Sequence, residues 1–153
     1  MTLISTFDPW RSRLCTCPPK LTFNPYTGCD HACVYCYASS YIPKFFRCRP
    51  KKDLIPRLKR EAAKLKGELI SISNSSDPYP SLEAETGLMR KCLEILSRCN
   101  CKIQVVTKSN IVVRDIDFLK KTQSMVTLTI TTDNDNISKI IEPNAPPSSQ
   151  RLK

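Results

Sequence analysis

The stretch from Asn24 to Ala38, NPYTGCDHACVYCYA, carries Cys29, Cys33 and Cys36 in the spacing C-x3-C-x2-C. Nothing else in the chain restricts its fold so tightly. Three thiols this close must share one loop, and such a loop can wrap a compact metal centre. Thiolates are soft ligands, so iron–sulfur or zinc are its natural occupants. Structural zinc takes a fourth protein ligand in a closed tetrahedron, and no C-x2-C knuckle follows at a convenient distance. An iron–sulfur cube can instead rest on three cysteines and leave one iron open to chemistry.

The loop resembles the cluster loop of the radical S-adenosylmethionine (radical SAM) enzymes. They carry C-x3-C-x2-C with an aromatic residue just before the last cysteine, the place Tyr35 takes here. Asn24-Pro25-Tyr26 precedes Gly28-Cys29, and Tyr37-Ala38 follows Cys36. In these flanks the stretch is similar to the spore photoproduct lyase-like branch, often labelled DNA repair photolyases. The resemblance covers residues 21–153, read as a core domain; residues 1–20, with Pro9, Pro18 and Pro19, read as an irregular N-terminal segment.

The remaining sequence limits the setting. With 153 residues the chain is long enough for one domain with a real core. The balance of 24 basic and 14 acidic residues, net +10, favours a polyanionic partner such as nucleic acid, or serves solubility alone. The start MTLISTFDPW lacks the basic and apolar regions of a signal peptide. No apolar run approaches the roughly 20 residues of a membrane span. A reducing cytoplasm is therefore expected, where free thiols persist. Besides the loop cysteines there are Cys15, Cys17, Cys48, Cys92, Cys99 and Cys101, and an odd total of nine argues against a pure disulfide framework. Cys15 and Cys17 could form a second metal half-site or a redox pair, but with no complementary ligands nearby they read as loop thiols; Cys92 and Cys99 share the apolar face of a helix and read as packing.

Periodicity gives a short strand at 21–23 and a helix from Asp53, its expected cap, to about Lys66, with Gly67 ending it. A strand follows over 68–73, then a stiff polar turn, Asn74–Pro80. A helix over 81–98, a strand over 102–107, a short helix over 112–121 and an alternating strand over 126–131 come next. Residues 135–141 suit one or two helical turns, and the proline-rich tail from Glu142 reads as irregular. The connector 39–50 mixes Tyr41, Phe45 and Phe46 with Lys44, Arg47 and Arg49, a composition that can stack bases and meet phosphates, or simply pack.

Four alternations of strand and helix predict an α/β fold with a parallel sheet. By analogy with α/β barrels, its site belongs at the C-terminal ends of the strands. The resemblance implies a partial (β/α) barrel, usually of six βα units, of which about four are present. The chain therefore reads as C-terminally truncated. An unpaired edge strand is a liability, and a partner chain completing the sheet is one remedy.

The resemblance also implies a reaction. Cys29, Cys33 and Cys36 would hold a 4Fe–4S cluster whose open iron chelates S-adenosylmethionine. One electron, from a donor such as ferredoxin or flavodoxin, would cleave the cofactor reductively. Methionine and a 5′-deoxyadenosyl radical result, and the radical abstracts hydrogen from a substrate, with nucleic acid a candidate. Ser76 and Asp77 match a Ser-Asp pair after the second strand, Lys108 a lysine after the third, and Thr129 a hydroxyl residue on the fourth. Tyr35 and Tyr37 would flank the adenine, by stacking and by backbone hydrogen bonds. Each of these has a plain alternative: a turn-stabilising aspartate, a solvated lysine, a strand threonine. His31, between Cys29 and Cys33, reads as a loop residue.

One departure concerns the final hydrogen transfer. Spore photoproduct lyase uses a cysteine just before its Ser-Asp pair as hydrogen donor, and this chain has Ser73-Asn74-Ser75 there. Cys48 or Cys15 can substitute only if the fold brings them to the rim. Two other readings stand beside the enzyme. One is a non-catalytic zinc or iron–sulfur module that binds nucleic acid. The other is an inactive remnant that keeps the loop without the last strands.

Overall fold

The structure, a computed structural model, describes residues 2–7 and 16–153. In chain order the elements are β1 (Ser5–Phe7), β2 (Lys20–Phe23), β3 (Tyr26–Thr27), a 3-10 turn (Tyr37–Ser40), β4 (Arg49–Pro50) and α1 (Leu54–Ala62). Then come β5 (Leu69–Ile72), α2 (Glu83–Thr86), α3 (Leu88–Leu96), β6 (Lys102–Thr107) and a 3-10 segment (Asn110–Asp115). The chain ends with α4 (Ile116–Leu119), β7 (Gln123–Leu128), α5 (Asp135–Ile141) and α6 (Ser148–Arg151).

The sheet runs β1-β2-β5-β6-β7. β2, β5, β6 and β7 are mutually parallel, so their C-terminal ends lie along one edge. β1 pairs antiparallel with β2, Ser5 opposite Thr22. This corrects the irregular N-terminal segment: residues 5–7 extend the sheet. Glu61 of α1 holds them there by accepting the Leu3 and Ile4 amides at 2.8 Å each. Cys15 lies outside the described residues.

The core lies on one face of the sheet. Phe23, Ile70, Ile72, Ile103 and Val105 meet Leu54, Leu58 and Ala62 of α1 and Met89, Cys92, Leu93 and Leu96 of α3, all buried. Because side chains alternate along a strand, the polar residues Thr22, Ser71 and Gln104 share the opposite face. Cys92 is core, as its helical position predicts, and Cys99 is half-buried beside it.

Several expected boundaries shift for local reasons. Asp53 is not a side-chain cap: it takes a left-handed conformation, and its carboxylate receives no amide of the helix. α1 ends at Ala62, and a turn carries the chain to Gly67. The helix expected over 81–98 is broken, because Gly87 at φ 55° is left-handed between α2 and α3. Residues 110–119 are a 3-10 segment and one α turn. β7 lies at 123–128, three residues earlier than alternation suggests. Its pairing with β6, Lys102 opposite Gln123 through Thr107 opposite Leu128, sets its limits. β7 is an edge strand, and its Met125, Val126 and Leu128 are exposed. The tail is ordered: α6 buries Ser148 and Arg151.

Candidate functional site

The cysteine loop leaves the C-terminal end of β2 and is folded back by two devices. One is the β3–β4 pair, Tyr26 opposite Pro50 and Thr27 opposite Arg49. The other is Gly28, at φ 78°, where an added Cβ would stand 2.2 Å from the Phe45 carbonyl oxygen. Only glycine fits there. The neighbouring Cys29 amide donates to that carbonyl at 2.8 Å, which fastens the connector beneath the loop.

Cys29, Cys33 and Cys36 line one cleft with Tyr35, Ser76, Asp77, Lys108 and Thr129. These residues come from the ends of all four parallel strands. The sequence placed them there, and the parallel register brings them together. Tyr37 is the exception. Its side chain is exposed and lies against Tyr41, ring centroids 6.1 Å apart, outside the cleft lining. The 3-10 turn that begins at Tyr37 carries its ring outward.

Asp77 is 9% exposed and ties two strand ends together. Its Oδ1 accepts the Tyr79 amide at 2.9 Å and the Thr107 hydroxyl at 2.6 Å, and its Oδ2 accepts the Lys108 amide at 2.8 Å. His31 Nδ1 stands 3.6 Å from the same Oδ2. Ser76 donates its hydroxyl to the Tyr26 carbonyl at 3.2 Å. Both residues therefore shape the cleft. A carboxylate offers about four lone-pair sites, so Asp77 keeps capacity for a further donor.

Lys108 reaches over the Tyr35 ring, Nζ 5.7 Å from its centroid, and lies 3.8 Å from Glu142 Oε1. That separation is beyond hydrogen-bond reach, so Glu142 leaves the ammonium hydrogens available to an anion in the cleft. Glu142 is fully buried. Burial pushes its carboxyl up, but the Thr131 and Tyr35 hydroxyls and Arg151 outweigh it and hold the carboxyl below its ordinary value.

The thiols are free. Burial pushes Cys29 up to about 12, against the pull of the Asp77 and His31 backbone amides, and burial raises Cys33 as well. Both would be protonated at neutral pH unless a metal displaced the proton. Among the described residues no group of three or more His, Cys, Asp or Glu side chains is placed to hold a metal ion. Three thiols lining one cleft are a soft donor set, of the kind that iron–sulfur and zinc take. The cleft, about 180 Å³, is smaller than the roughly 300–1,000 Å³ that encloses a drug-sized ligand.

Sequence reasoning missed several parts. His31 is buried and lines the cleft, and Phe45 packs beside Cys29. Glu142 and Arg151 came from a tail read as irregular. Their one signal was two charged residues framing a proline-rich stretch. Cys48 is half-buried, electrostatically within reach of Asp30 and Cys29, and pushed up to about 12 by burial. It is not among the residues lining the cleft.

Comparison with known proteins adds a family and a fold. The family described as the Radical SAM superfamily matches residues 23–153. An uncharacterized protein of Methanocaldococcus jannaschii is 33% identical over 141 residues, 87% of this chain and 52% of that protein. An uncharacterized protein of Acidianus two-tailed virus is 34% identical over 145 residues, 82% of this chain and 47% of its own length. The chain spans about half the length of these two relatives. Among solved structures, a double mutant of spore photoproduct lyase with bound AdoMet and dinucleoside spore photoproduct superposes with a TM-score of 0.68 at 17% identity. That match covers 86% of this chain and 40% of the lyase. The fold is accordingly part of a (β/α) barrel of the radical SAM type. Among the described residues no helix is long and apolar enough to cross a membrane.

Proposed function

The chain belongs to the radical SAM superfamily, and from that we propose that it binds a 4Fe–4S cluster through Cys29, Cys33 and Cys36 and cleaves S-adenosylmethionine reductively. When bound, the cluster and cofactor supply an electron-triggered carbon radical that takes a hydrogen atom from a substrate. The chain's own residues bind, orient and shield. One observation carries the reading: the three thiols share a single cleft with Lys108 and Thr129 at the C-terminal ends of parallel strands.

In this reading Lys108 meets the cofactor's carboxylate as a point charge. Thr129, the residue after β7, presents a hydroxyl. Tyr35 offers a ring already faced by Lys108. Asp77 keeps the 74–80 turn against β6 so that these groups hold their spacing, and it has room for one donor from the cofactor. The electron comes from a soluble carrier such as ferredoxin or flavodoxin.

The proposed substrate class is nucleic acid. Lys44, Arg47, Arg49 and Lys52 are exposed beside exposed Tyr41 and Phe46, on the connector fastened under the cysteine loop. Aromatic faces with interspersed cations suit single-stranded bases and phosphates. The bound dinucleoside of the lyase supports the same class. The lyase's own repair reaction is not proposed, because residues 73–75 supply no thiol.

The test is anaerobic reconstitution with iron and sulfide, followed by electron paramagnetic resonance of the reduced protein. A 4Fe–4S signal that changes when S-adenosylmethionine is added is the expected result. No cluster, or a signal indifferent to the cofactor, would overturn the reading.

A further inference from the structure

We infer that the 141–144 turn is a clasp on the cysteine loop, and that Glu142 is a positioning residue holding Tyr35, and with it the Cys33–Cys36 stretch, in place. What this does for a bound cluster rests on the proposed function; the clasp itself belongs to the polypeptide.

Four links join these segments across more than a hundred residues of sequence. The Val34 amide donates to the Ile141 carbonyl at 2.9 Å, and the Asn144 amide to the His31 carbonyl at 3.2 Å. The Asn144 side-chain amide donates to the Asp30 carbonyl at 2.8 Å. The Tyr35 hydroxyl donates to Glu142 Oε1. All four land between Cys29 and Cys36, the part of the chain that must hold three thiols at fixed spacing.

Glu142 is arranged for this task. Its Oε2 faces the Arg151 guanidinium at 2.6 Å, and both side chains are fully buried. Its Oε1 accepts the hydroxyls of Tyr35 and of Thr131, the latter at 2.5 Å. Arg151 is itself held by the Pro146 carbonyl at 2.6 Å and the Thr129 carbonyl at 3.0 Å. A carboxylate needed only to neutralise Arg151 would not also have to reach the cysteine loop. Here one oxygen answers the guanidinium, and the other is given to two hydroxyls, one of them between two of the cysteines.

The test uses the full chain with Tyr35→Phe, Glu142→Gln and the double variant. Two quantities are read: amide hydrogen exchange over residues 33–37 in the metal-free chain, and iron release to a chelator from the reconstituted chain. Tyr35 is half exposed, so Tyr35→Phe should leave the melting temperature nearly unchanged. Loss of one hydrogen bond from a half-exposed hydroxyl should speed both readouts by about fivefold to tenfold. Glu142→Gln should do at least as much, by weakening that bond and leaving Arg151 without its counter-charge, and the double variant should fall short of the product of the two single effects, because both changes act on the same bond. If Tyr35→Phe leaves both readouts unchanged while Glu142→Gln only lowers global stability, Glu142 serves Arg151 alone and the clasp is overturned. Should the wild-type chain take up no iron, the proposed function fails, and hydrogen exchange still decides the clasp.

Discussion

Asp77 accepts the Thr107 hydroxyl at 2.6 Å, which pins the turn after β5 to the last residue of β6. The same carboxylate takes the backbone amides of Tyr79 and Lys108, so the mouth of the cleft depends on one buried anion. Asp77→Asn keeps the size and replaces one acceptor oxygen with a donor. It should cost about 2–3 kcal/mol, the usual scale for charge-assisted bonds left unmade. Thr107→Val should cost about 1–2 kcal/mol. Urea denaturation of the metal-free chain measures both. Equal, small losses would show that the pin does not stabilise the fold.

Thiol chemistry separates the cysteines. Burial holds the Cys29 thiol near 12, so at pH 8 its thiolate fraction is roughly a thousandfold below that of a free cysteine. Cys17 is exposed. Iodoacetamide should therefore label Cys17 rapidly and leave Cys29 largely unmodified in the metal-free native chain, with unfolding in urea equalising them. Peptide mass mapping is the readout. Fast native labelling of Cys29 would show that the loop opens.

Acid should free the N-terminal strand before it unfolds the sheet. Burial pushes the Glu61 carboxyl up, but the Ile4 and Leu3 amides, with the charges of Arg57 and Lys64, pull it below its ordinary value. A carboxyl lowered in the folded state contributes stability at pH values above the unfolded value, and that stability is lost as pH falls through the folded value. The Leu3 and Ile4 amide resonances should titrate with a midpoint below about 4.3, the ordinary glutamate value. A midpoint at or above it would mean that Glu61 does not hold them.

Glu83 is fully buried and pairs with the partly exposed Arg114. Arg114 Nη2 lies 2.6 Å from Glu83 Oε1, Glu83 Oε2 accepts the Tyr26 hydroxyl at 2.5 Å, and Arg114 Nε also meets the buried Asp115 at 2.8 Å. Arg114→Met would remove the ion-pair partner of buried Glu83, while Asp115 keeps Arg90 at 3.1 Å, and should cost about 1.5–3 kcal/mol. Tyr26→Phe should cost only about 1–2 kcal/mol, because the ion pair survives. Chemical denaturation separates the two.

The β7 edge should promote self-association. Met125 is 56% exposed on an edge strand, beside exposed Val126 and Leu128. Met125→Lys places a charge on that edge and should reduce concentration-dependent association in light scattering. No change would move attention to the apolar residues of α5.

Much of the site was legible in the sequence because its information is local. The spacing of Cys29, Cys33 and Cys36 needs no tertiary structure to suggest a metal loop. Hydrophobic periodicity marked the parallel strands, and once strands are parallel, Asp77, Lys108 and Thr129 must share an edge. Where the Tyr37 ring points was not legible, because the backbone turn after Cys36, and not residue order, decides it. Strand limits at β7 and the break at Gly87 were lost for similar reasons: inter-strand hydrogen bonds and a left-handed glycine outweigh pattern. The role of the tail was invisible. Glu142 and Arg151 look like isolated charges among prolines, and only folding brings them into a buried pair against Tyr35. The sequence by itself determined which ligands this loop can offer and which family the chain resembles. Tertiary structure alone decided what holds that loop in shape, because those contacts span a hundred residues and leave no local pattern.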